Sequence, residues 1–311
     1  MTIKDARNGE NITVLVMAIE EKETSTKKPY LVFTLSDGTD VIQAKQWDTK
    51  KTDTLASAGK LATVSLKVGS YQGKEDYTIN SICPKEETAT ERISDYVKSA
   101  PVGAEEMYAY ILKVIDNLED RDIAATVSAI FKDNQEKLLL WSAAVGIHHN
   151  YVGGLLYHVY RMVQAGLYLS KIYPVNKSVL VAGILLHDIG KLREMETDVT
   201  GTAVFTAEGN LFGHLYLGAE MFSEYAGRTN LPKEKENQIK HIILSHHGKK
   251  EWGAVAVPAT LEALIVHSID MIDSKVEQAE QICISLTPGT FDEARSFSLD
   301  GAHIYKPKEE K

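Results

Sequence analysis

The residues best suited to chemistry lie late in this 311-residue chain, where all ten histidines occur at or after His148. Several of them are accompanied by carboxylates, and the set comprises His158, the pair His187-Asp188, His214, the pair His246-His247, and Asp270. Imidazole nitrogens and carboxylate oxygens bind divalent cations. A single buried histidine is more often a hydrogen-bonded core residue than a ligand, so the indication of a metal site comes from the whole set.

The pair His187-Asp188 directly follows the longest apolar run of the chain, Val179–Leu186. Polar groups at the end of a core helix are costly to bury without compensation, and a divalent cation supplies that compensation. A carboxylate can bridge two ions, whereas an imidazole cannot. Asp188 is therefore the candidate bridge between two ions.

The other candidate ligands divide into two groups around Asp188. We expect His158, His187 and Asp270 to complete one ion, and His214 and His246, with His247 as an additional candidate, to complete the other. Nitrogen and oxygen ligands without thiolate suit Mn²⁺, Fe²⁺, Co²⁺ or Zn²⁺ and do not choose among them, and Mn²⁺ is our working assumption. Two ions about 3.5–4 Å apart support in-line displacement at a phosphate.

Composition excludes several other classes of protein. With 44% apolar and 25% charged residues the chain is neither disordered nor fibrous. Its two cysteines, Cys83 and Cys283, are too few for a disulfide framework or a thiolate metal site. The longest apolar run is far below the roughly 20 residues that cross a bilayer, and the first residues lack the apolar core of a signal peptide. We therefore expect a cytoplasmic protein without a membrane partner.

Charge and periodicity divide the chain into two domains. The net charge of −9 arises entirely after residue 84, because residues 1–84 hold 11 basic and 11 acidic side chains and the remainder holds 23 and 32. The expected organisation is a β domain over 1–84, a polar linker over 85–103, an all-α domain over 104–290 and a tail over 291–311 that packs on the helices. The helical period begins with Tyr108, Ile111, Leu112, Ile115 and Leu118.

The first domain alternates as short strands do, which we place near 12–20, 30–36, 40–47, 61–68 and 75–82. Ser36-Asp-Gly-Thr39 predicts a tight hairpin turn, Gly69–Gly73 a looser one, and Lys50–Gly59 a helical turn between the third and fourth strands. Five strands with that interruption predict a small, partly open OB-fold barrel.

Aromatic and basic residues in this barrel indicate an interface for single-stranded nucleic acid, which needs flat rings for bases and cations for phosphates. The candidates are Tyr30, Lys45, Trp47 and Tyr71. For each ring, packing in the barrel core is an equally good interpretation, and this applies also to Tyr77. The neutral balance of the domain argues against tight nonspecific binding.

The order of ligands, H…HD…H…HH…D, resembles the HD-domain phosphohydrolase superfamily. Four longer stretches resemble the YhaM-type 3′-to-5′ exoribonucleases, which also carry an N-terminal OB domain: Gly153–His158, His187–Lys191, Ser245–Gly253 and Ile304–Pro307. The resemblance covers nearly the whole chain. The Gly-Tyr-Pro motif of cyclic-dinucleotide phosphodiesterases is absent after His246-His247, which disfavours that activity.

The resemblance implies that His158, His187, Asp188, His214, His246 and Asp270 bind metal, that Asp188 is catalytic, and that Lys191 contacts the scissile phosphate. His149 and Arg161 are further candidates for substrate contact, with a salt bridge as the alternative for Arg161 and a solvated position as the alternative for Lys191. The family's acidic residue before the first ligand is Tyr157 here.

The expected activity is removal of nucleoside monophosphates from the 3′ end of single-stranded RNA, and alternatively of single-stranded DNA. The barrel would hold the strand upstream of the 3′ end and so act as a tether. Two other classes stay open: an HD hydrolase of nucleotides or cyclic dinucleotides, and a non-catalytic RNA-binding adaptor. Exposed apolar helix faces would permit a homo-oligomer.

Overall fold

The computed structural model describes residues 2–3, 9–71, 74–97, 99–142, 152–198, 201–293 and 299–308, except the side chains of Tyr71, Lys74 and Ser94. The chain forms two compact units. The first comprises Met1–Glu106, Gln135–Leu156 and Met195–Thr206, and the second comprises Met107–Asn134, Tyr157–Glu194 and Ala207–Lys311.

Five strands in the first unit form a closed barrel. They are β1 (Asn11–Glu23), β2 (Pro29–Ser36), β3 (Val41–Trp47), β4 (Lys60–Tyr71) and β5 (Lys74–Lys85), arranged in the order β1-β2-β3-β5-β4. All neighbours are antiparallel except β3 and β5, whose parallel pairing of Ala44 with Tyr77 and Lys45 with Thr78 joins the two halves of the sheet. The prediction of an OB-type barrel is confirmed, and the barrel is closed rather than partly open.

Alternation in sequence determines which side chains fill the barrel. Ile12, Val14 and Val16 of β1 point into one buried cluster with Phe33 of β2, whereas Leu15 belongs to a second cluster outside it. The turn between β2 and β3 is stabilised by Asp37, whose Oδ1 accepts hydrogen bonds from the backbone N–H groups of Thr39 and Asp40.

The helical turn expected within Lys50–Gly59 does not form. Asp53 instead closes a single reverse turn by donating its N–H to the Lys50 carbonyl, while its Oδ2 accepts from the Lys50 N–H. Asp and Thr side chains offer the backbone such local partners and compete with helix formation. Irregular chain then leads to β4.

Part of the segment expected to be a linker packs on the barrel. A short 3₁₀ helix at Ile93–Tyr96 is followed by Val97, which is buried against Leu15 and Leu61. The Ser36 hydroxyl donates to the Tyr96 carbonyl over 2.6 Å. Apolar burial rather than polar composition therefore determines the structure of this stretch.

Helices form the second unit, except that the helix Gln135–Leu140 belongs to the first unit and the helices that start at Ala104 and Gly154 begin in it. Their bounds are α1 (Ala104–Asp116), α2 (Arg121–Asp133), α3 (Gln135–Leu140), α4 (Gly154–Leu169), α5 (Lys177–Leu186), α6 (Lys191–Glu194), α7 (Ala207–Arg228), α8 (Lys233–Ser245) and α9 (Leu261–Ser285). A two-stranded ribbon pairs β6 (Met195–Thr197) with β7 (Ala203–Phe205). Across the described residues, every helix is too short or too polar to pass through a bilayer.

Helix α5 lies at the centre of the second unit. Every residue from Ser178 to Leu186 is buried, as expected for a helix that is apolar on all sides. Asn176 caps its N-terminus by accepting from the N–H groups of Ser178 and Val179. Helices α2, α8 and α9 pack against α5. The C-terminal end of α5, at His187, therefore lies in the interior of the second unit.

Candidate metal centre

The candidate ligands lie on, or directly at the ends of, five helices of the second unit. His158 is on α4, His214 on α7 and Asp270 on α9, whereas His187 and His246 are the residues that terminate α5 and α8. Asp188 and His247 follow directly in the chain. The centre of the cluster is buried, since His158, His187, Asp188 and His246 are each at most 7% exposed.

All five imidazoles are held by the same ring atom. Each Nδ1 lies 2.6–3.0 Å from an oxygen, and the partners in chain order are Asp273 Oδ2 for His158, the Ile184 carbonyl for His187, Glu194 Oε1 for His214, the Ile243 carbonyl for His246 and the Trp252 carbonyl for His247. Carbonyls and carboxylates only accept hydrogen bonds, so each Nδ1 is the donor. The opposite nitrogen, Nε2, is thereby left to face the centre.

The Nε2 atoms converge with carboxylate oxygens. The His158 and His187 Nε2 atoms are 3.2 Å apart, as are those of His214 and His247, and the His158 Nε2 lies 3.3 Å from Asp270 Oδ1. Ligand atoms that bind one ion at about 2.1 Å lie about 3.0–3.5 Å from each other. The spacing and the nitrogen and oxygen chemistry of these donors therefore fit a divalent cation.

Asp188 presents its two carboxylate oxygens to different parts of this cluster. Oδ2 is 3.4 Å from the Nε2 of His187, whereas Oδ1 is 3.5 Å from the Nε2 of His214 and 3.6 Å from that of His246. Three groups of side chains could each hold a metal ion, namely His158, His187 and Asp188; His187, His246 and Asp270; and His214, His246 and His247. The two oxygens of Asp188 therefore face different histidines of the cluster.

Lys191 lies against the same carboxylate. Its ammonium is 2.7 Å from Asp188 Oδ2. Burial alone would lower the pKa of Lys191, but the charge of Asp188 outweighs it and raises the pKa. Burial likewise opposes ionisation of Asp188, yet the charge of Lys191 and the proximity of His187 hold its pKa well below the usual range. Both groups are therefore charged at neutral pH.

Two carboxylates that the sequence analysis does not single out support the ligands from behind. The first is Asp273, whose Oδ2 is 2.6 Å from the His158 Nδ1 and which also accepts a hydrogen bond from Arg161 over 2.8 Å. Burial would lower the pKa of His158, but Asp270 and Asp273 raise it to about 10. The two carboxylates therefore make this side of the cluster favourable for a positive charge, such as that of a bound cation.

The second supporting carboxylate is Glu194, and a break in α7 makes room for it. Gly213 has φ of +70° and ψ of 162°, a conformation that side-chain-bearing residues rarely adopt. Next to this break, Glu194 Oε1 accepts a hydrogen bond from the backbone N–H of His214 over 2.9 Å and also lies 3.0 Å from the His214 Nδ1. The ring of His214 is thus fixed twice by one oxygen.

The spacing of Asp273 and Glu194 from other candidate residues is the sequence feature that could have pointed to them. Asp273 follows Asp270 by three residues on α9, as Arg161 follows His158 on α4, so each pair shares one helix face. Glu194 follows Lys191 by three residues. Local sequence does not reveal that these faces meet, because the pairing depends on how α4 and α9 pack.

The guanidinium of Arg161 lies among protein groups rather than free for substrate. It contacts Asp273 and Glu277 at 2.8 and 2.9 Å and lies over the ring of Tyr157, 4.6 Å from its centroid. These contacts favour the salt-bridge alternative for Arg161. His149, the other candidate for substrate contact, lies outside the described residues.

The barrel carries its candidate residues on β2 and β3. Tyr30 and Trp47 are cross-strand partners with ring centroids 4.9 Å apart, and Trp47 is 44% exposed. The Lys45 ammonium is 5.7 Å from the Trp47 ring and also pairs with Asp76. Tyr77, by contrast, is buried in the barrel core. The side chain of Tyr71 lies outside the described part of the chain.

Comparison with known proteins agrees with this geometry. The HD domain family matches residues 155–275, which contain every candidate metal ligand. The chain is 36% identical over 287 residues to the 3′-5′ exoribonuclease YhaM of Oceanobacillus iheyensis, covering 91% of this chain and 89% of that protein. It is 33% identical over 302 residues to that of Listeria monocytogenes (96% and 95%) and 32% identical over 296 residues to that of Bacillus subtilis (94% and 93%).

Among solved structures, the second OB-fold domain of replication protein A from Methanococcus maripaludis overlaps 28% of this chain and 96% of that one, at 19% identity and a TM-score of 0.23. That score is too low to support an inference. The barrel assignment rests on its own strand order and closure.

Proposed function

The chain belongs to the family of the YhaM 3′-5′ exoribonucleases, and from this we propose that it is a metal-dependent enzyme that removes nucleotides one at a time from the 3′ end of single-stranded RNA. The observation that carries the proposal is the common orientation of five imidazoles, whose Nδ1 atoms are all engaged and whose Nε2 atoms face two carboxylates. Single-stranded DNA is the alternative polymer. A cytoplasmic location and a homo-oligomeric state stay predictions from the sequence.

We assign two divalent ions to each chain, with manganese as the working ion. His158, His187 and Asp270 would hold one, His214, His246 and His247 the other, and Asp188 would bridge them. When bound, such ions act as Lewis acids toward phosphate oxygens and lower the pKa of a coordinated water. The donor set contains no thiolate, in keeping with manganese, iron, cobalt or zinc.

The protein's own groups would then hold the histidine rings in position and place a positive charge near the phosphate. The five Nδ1 partners prevent the rings from turning, so the Nε2 atoms need no reorganisation when a cation arrives. Lys191 stays charged as an ammonium next to Asp188. A substrate phosphate bound at the metal ligands would lie close enough to contact this ammonium. A fixed positive charge of this kind stabilises the extra negative charge of a phosphoryl transition state.

The test of this proposal is the product formed from labelled RNA. In the presence of Mn²⁺, we expect a 5′-labelled single strand to shorten in one-nucleotide steps and a 3′-labelled strand to release labelled nucleoside monophosphate at once. Hydrolysis of free nucleotides or cyclic dinucleotides with intact RNA would identify a different HD hydrolase. Binding of RNA without any hydrolysis would identify a non-catalytic adaptor.

Asp273→Asn should weaken manganese binding without removing a ligand. The variant loses the charge that orients His158, and loss of a supporting carboxylate of this kind typically costs 10- to 100-fold in metal affinity. Titration of the metal-free protein with Mn²⁺ measures the change. Glu280→Gln, a largely exposed acid on the same helix, should bind manganese as the wild type does. Equal affinities of Asp273→Asn and wild type would show that Asp273 is not needed to position His158.

Trp47→Ala should weaken action on long RNA while sparing a short substrate. Stacking of one base on an aromatic ring contributes about 1–3 kcal/mol, so we expect KM for a 30-nucleotide strand to rise roughly 5- to 100-fold. A small chromogenic phosphodiester that does not reach the barrel should be hydrolysed at the wild-type rate. Leu55→Ala, which removes another exposed apolar side chain of the barrel, is the matched control. Equal losses of Trp47→Ala on both substrates would contradict a tethering role.

A further inference from the structure

A cleft of about 520 Å³ lies beside the metal centre in the second unit. Three candidate ligands, His246, His247 and Asp270, form part of its wall, and Trp252 and His267 form another part. A cleft of this size suits a ligand of the dimensions of one nucleotide. Its position means that such a ligand could place a phosphate at the metal centre and its remaining atoms against Trp252.

Trp252 is anchored to the metal centre through its backbone. Its carbonyl accepts the hydrogen bond from the Nδ1 of His247, over 3.0 Å. The indole itself is 50% exposed, an unusual state for so large an apolar ring. Lys249 lies over it with the ammonium 4.3 Å from the ring centroid, and the ring of His267 lies at a centroid distance of 6.2 Å.

His267 fixes the other side of the same wall. Its Nδ1 donates to the carbonyl of His246 over 2.8 Å. The ring also lies directly on Gly248, where a side-chain Cβ would approach the imidazole to 2.2 Å. Trp252 and His267 are therefore both hydrogen-bonded to the segment that carries His246 and His247. These bonds fix the position of the cleft wall relative to the metal ligands.

We propose that Trp252 is the stacking platform for the base of the 3′-terminal nucleotide, the one released at each step; this rests on the proposed exonuclease function. Every base has a π face, so stacking grips the terminal residue without selecting its sequence, as an enzyme that degrades a strand to the end requires. Lys249 adds a positive charge over the ring of this platform. A cleft with room for one nucleotide would account for removal of single residues.

The test pairs a change in the protein with a change in the substrate. RNA with a normal 3′ end and the same RNA ending in an abasic nucleotide are compared in wild type, Trp252→Ala and Trp252→Phe. We expect wild type to lose roughly 5- to 100-fold in kcat/KM on the abasic end. Trp252→Ala should show the same loss on the normal end and no further loss on the abasic one, because both changes remove the same contact.

The conservative variant and a remote control complete the experiment. Trp252→Phe keeps a flat ring and should retain most activity on the normal end. Tyr168→Ala, which removes an exposed ring on α4, should behave as wild type with both substrates. Two results would overturn the proposal. In one, the losses in kcat/KM from Trp252→Ala and from the abasic end multiply; in the other, Trp252→Ala has wild-type kinetics. Failure of the wild type to shorten either RNA would instead overturn the exonuclease function.

A binding measurement provides a readout independent of turnover. Adenosine monophosphate should quench the tryptophan fluorescence of the wild-type protein, and ribose 5-phosphate, which lacks a base, should not. Trp252→Phe leaves Trp47 and Trp141 as fluorophores and should lose this quenching. Unchanged quenching in Trp252→Phe would place the base elsewhere and overturn the proposal.

Discussion

Asp188→Asn should abolish hydrolysis of RNA while leaving the fold intact. The oxygens of Asp188 lie within 3.6 Å of the Nε2 atoms of His187, His214 and His246. The asparagine amide lacks the negative charge of the carboxylate, and its NH₂ group would donate hydrogen bonds to the histidine Nε2 atoms that would otherwise bind the cation. Metal ions contribute several kcal/mol at a phosphoryl transition state, so we expect kcat to fall on the order of 10³-fold or more.

The measurement is release of nucleoside monophosphate from 3′-labelled RNA, with circular dichroism as the check on folding. Asp116→Asn, at an exposed position on α1, is the matched control and should retain wild-type turnover. An Asp188→Asn protein with more than about a tenth of wild-type kcat would contradict a bridging role, since one tenth corresponds to only about 1.4 kcal/mol.

The second large effect is expected for Lys191→Met, which keeps an unbranched side chain and removes the charge. Loss of one preorganised group that stabilises transition-state charge typically lowers kcat by about 10²- to 10³-fold. Because Lys191 is not a ligand, we expect the protein to retain its manganese. That combination, slow turnover with full metal content, distinguishes a phosphate contact from a ligand.

Lys177→Met, an exposed lysine at the start of α5, is the control for Lys191→Met and should be fully active. The alternative for Lys191 is a purely structural ion pair with Asp188. In that case Lys191→Met would lower the melting temperature and leave kcat within about twofold of wild type. We expect the opposite pattern, with a small thermal shift and a large kinetic loss.

Much of the barrel was predictable because its strands and turns have local causes. Alternation of apolar residues such as Ile12, Val14 and Val16 follows directly from the two-residue period of a strand. The turn at Ser36–Thr39 depends on the Asp37 side chain next to it in sequence. Closure of the barrel could not be predicted, because it depends on the pairing of Ala44 with Tyr77 and of Lys45 with Thr78, which are far apart in sequence.

In two segments the structure differs from what the local sequence indicates, because side-chain hydrogen bonds or apolar packing determine the conformation there. The helical turn expected within Lys50–Gly59 was lost to hydrogen bonds of Asp53. Residues expected to form a polar linker include Val97, which is buried beside the barrel. The bounds of the domains accordingly stay predictions.

The candidate site divides in the same way. The position of His187-Asp188 after a buried apolar helix was readable from the sequence, since such a helix must end where polar groups are compensated. The roles of Asp273 and Glu194 were not readable, because they depend on which helix faces meet. The break at Gly213, which lets Glu194 reach the His214 N–H, also requires the folded chain.

Manganese stoichiometry tests most directly the central claim that one carboxylate joins two ions in a histidine-lined centre. Equilibrium dialysis of wild type and Asp188→Asn against Mn²⁺, followed by elemental analysis, gives the number of ions per chain. We expect about two in the wild type and a joint loss of both in Asp188→Asn. A wild-type protein without bound manganese, or an Asp188→Asn protein with its full content, would contradict the account.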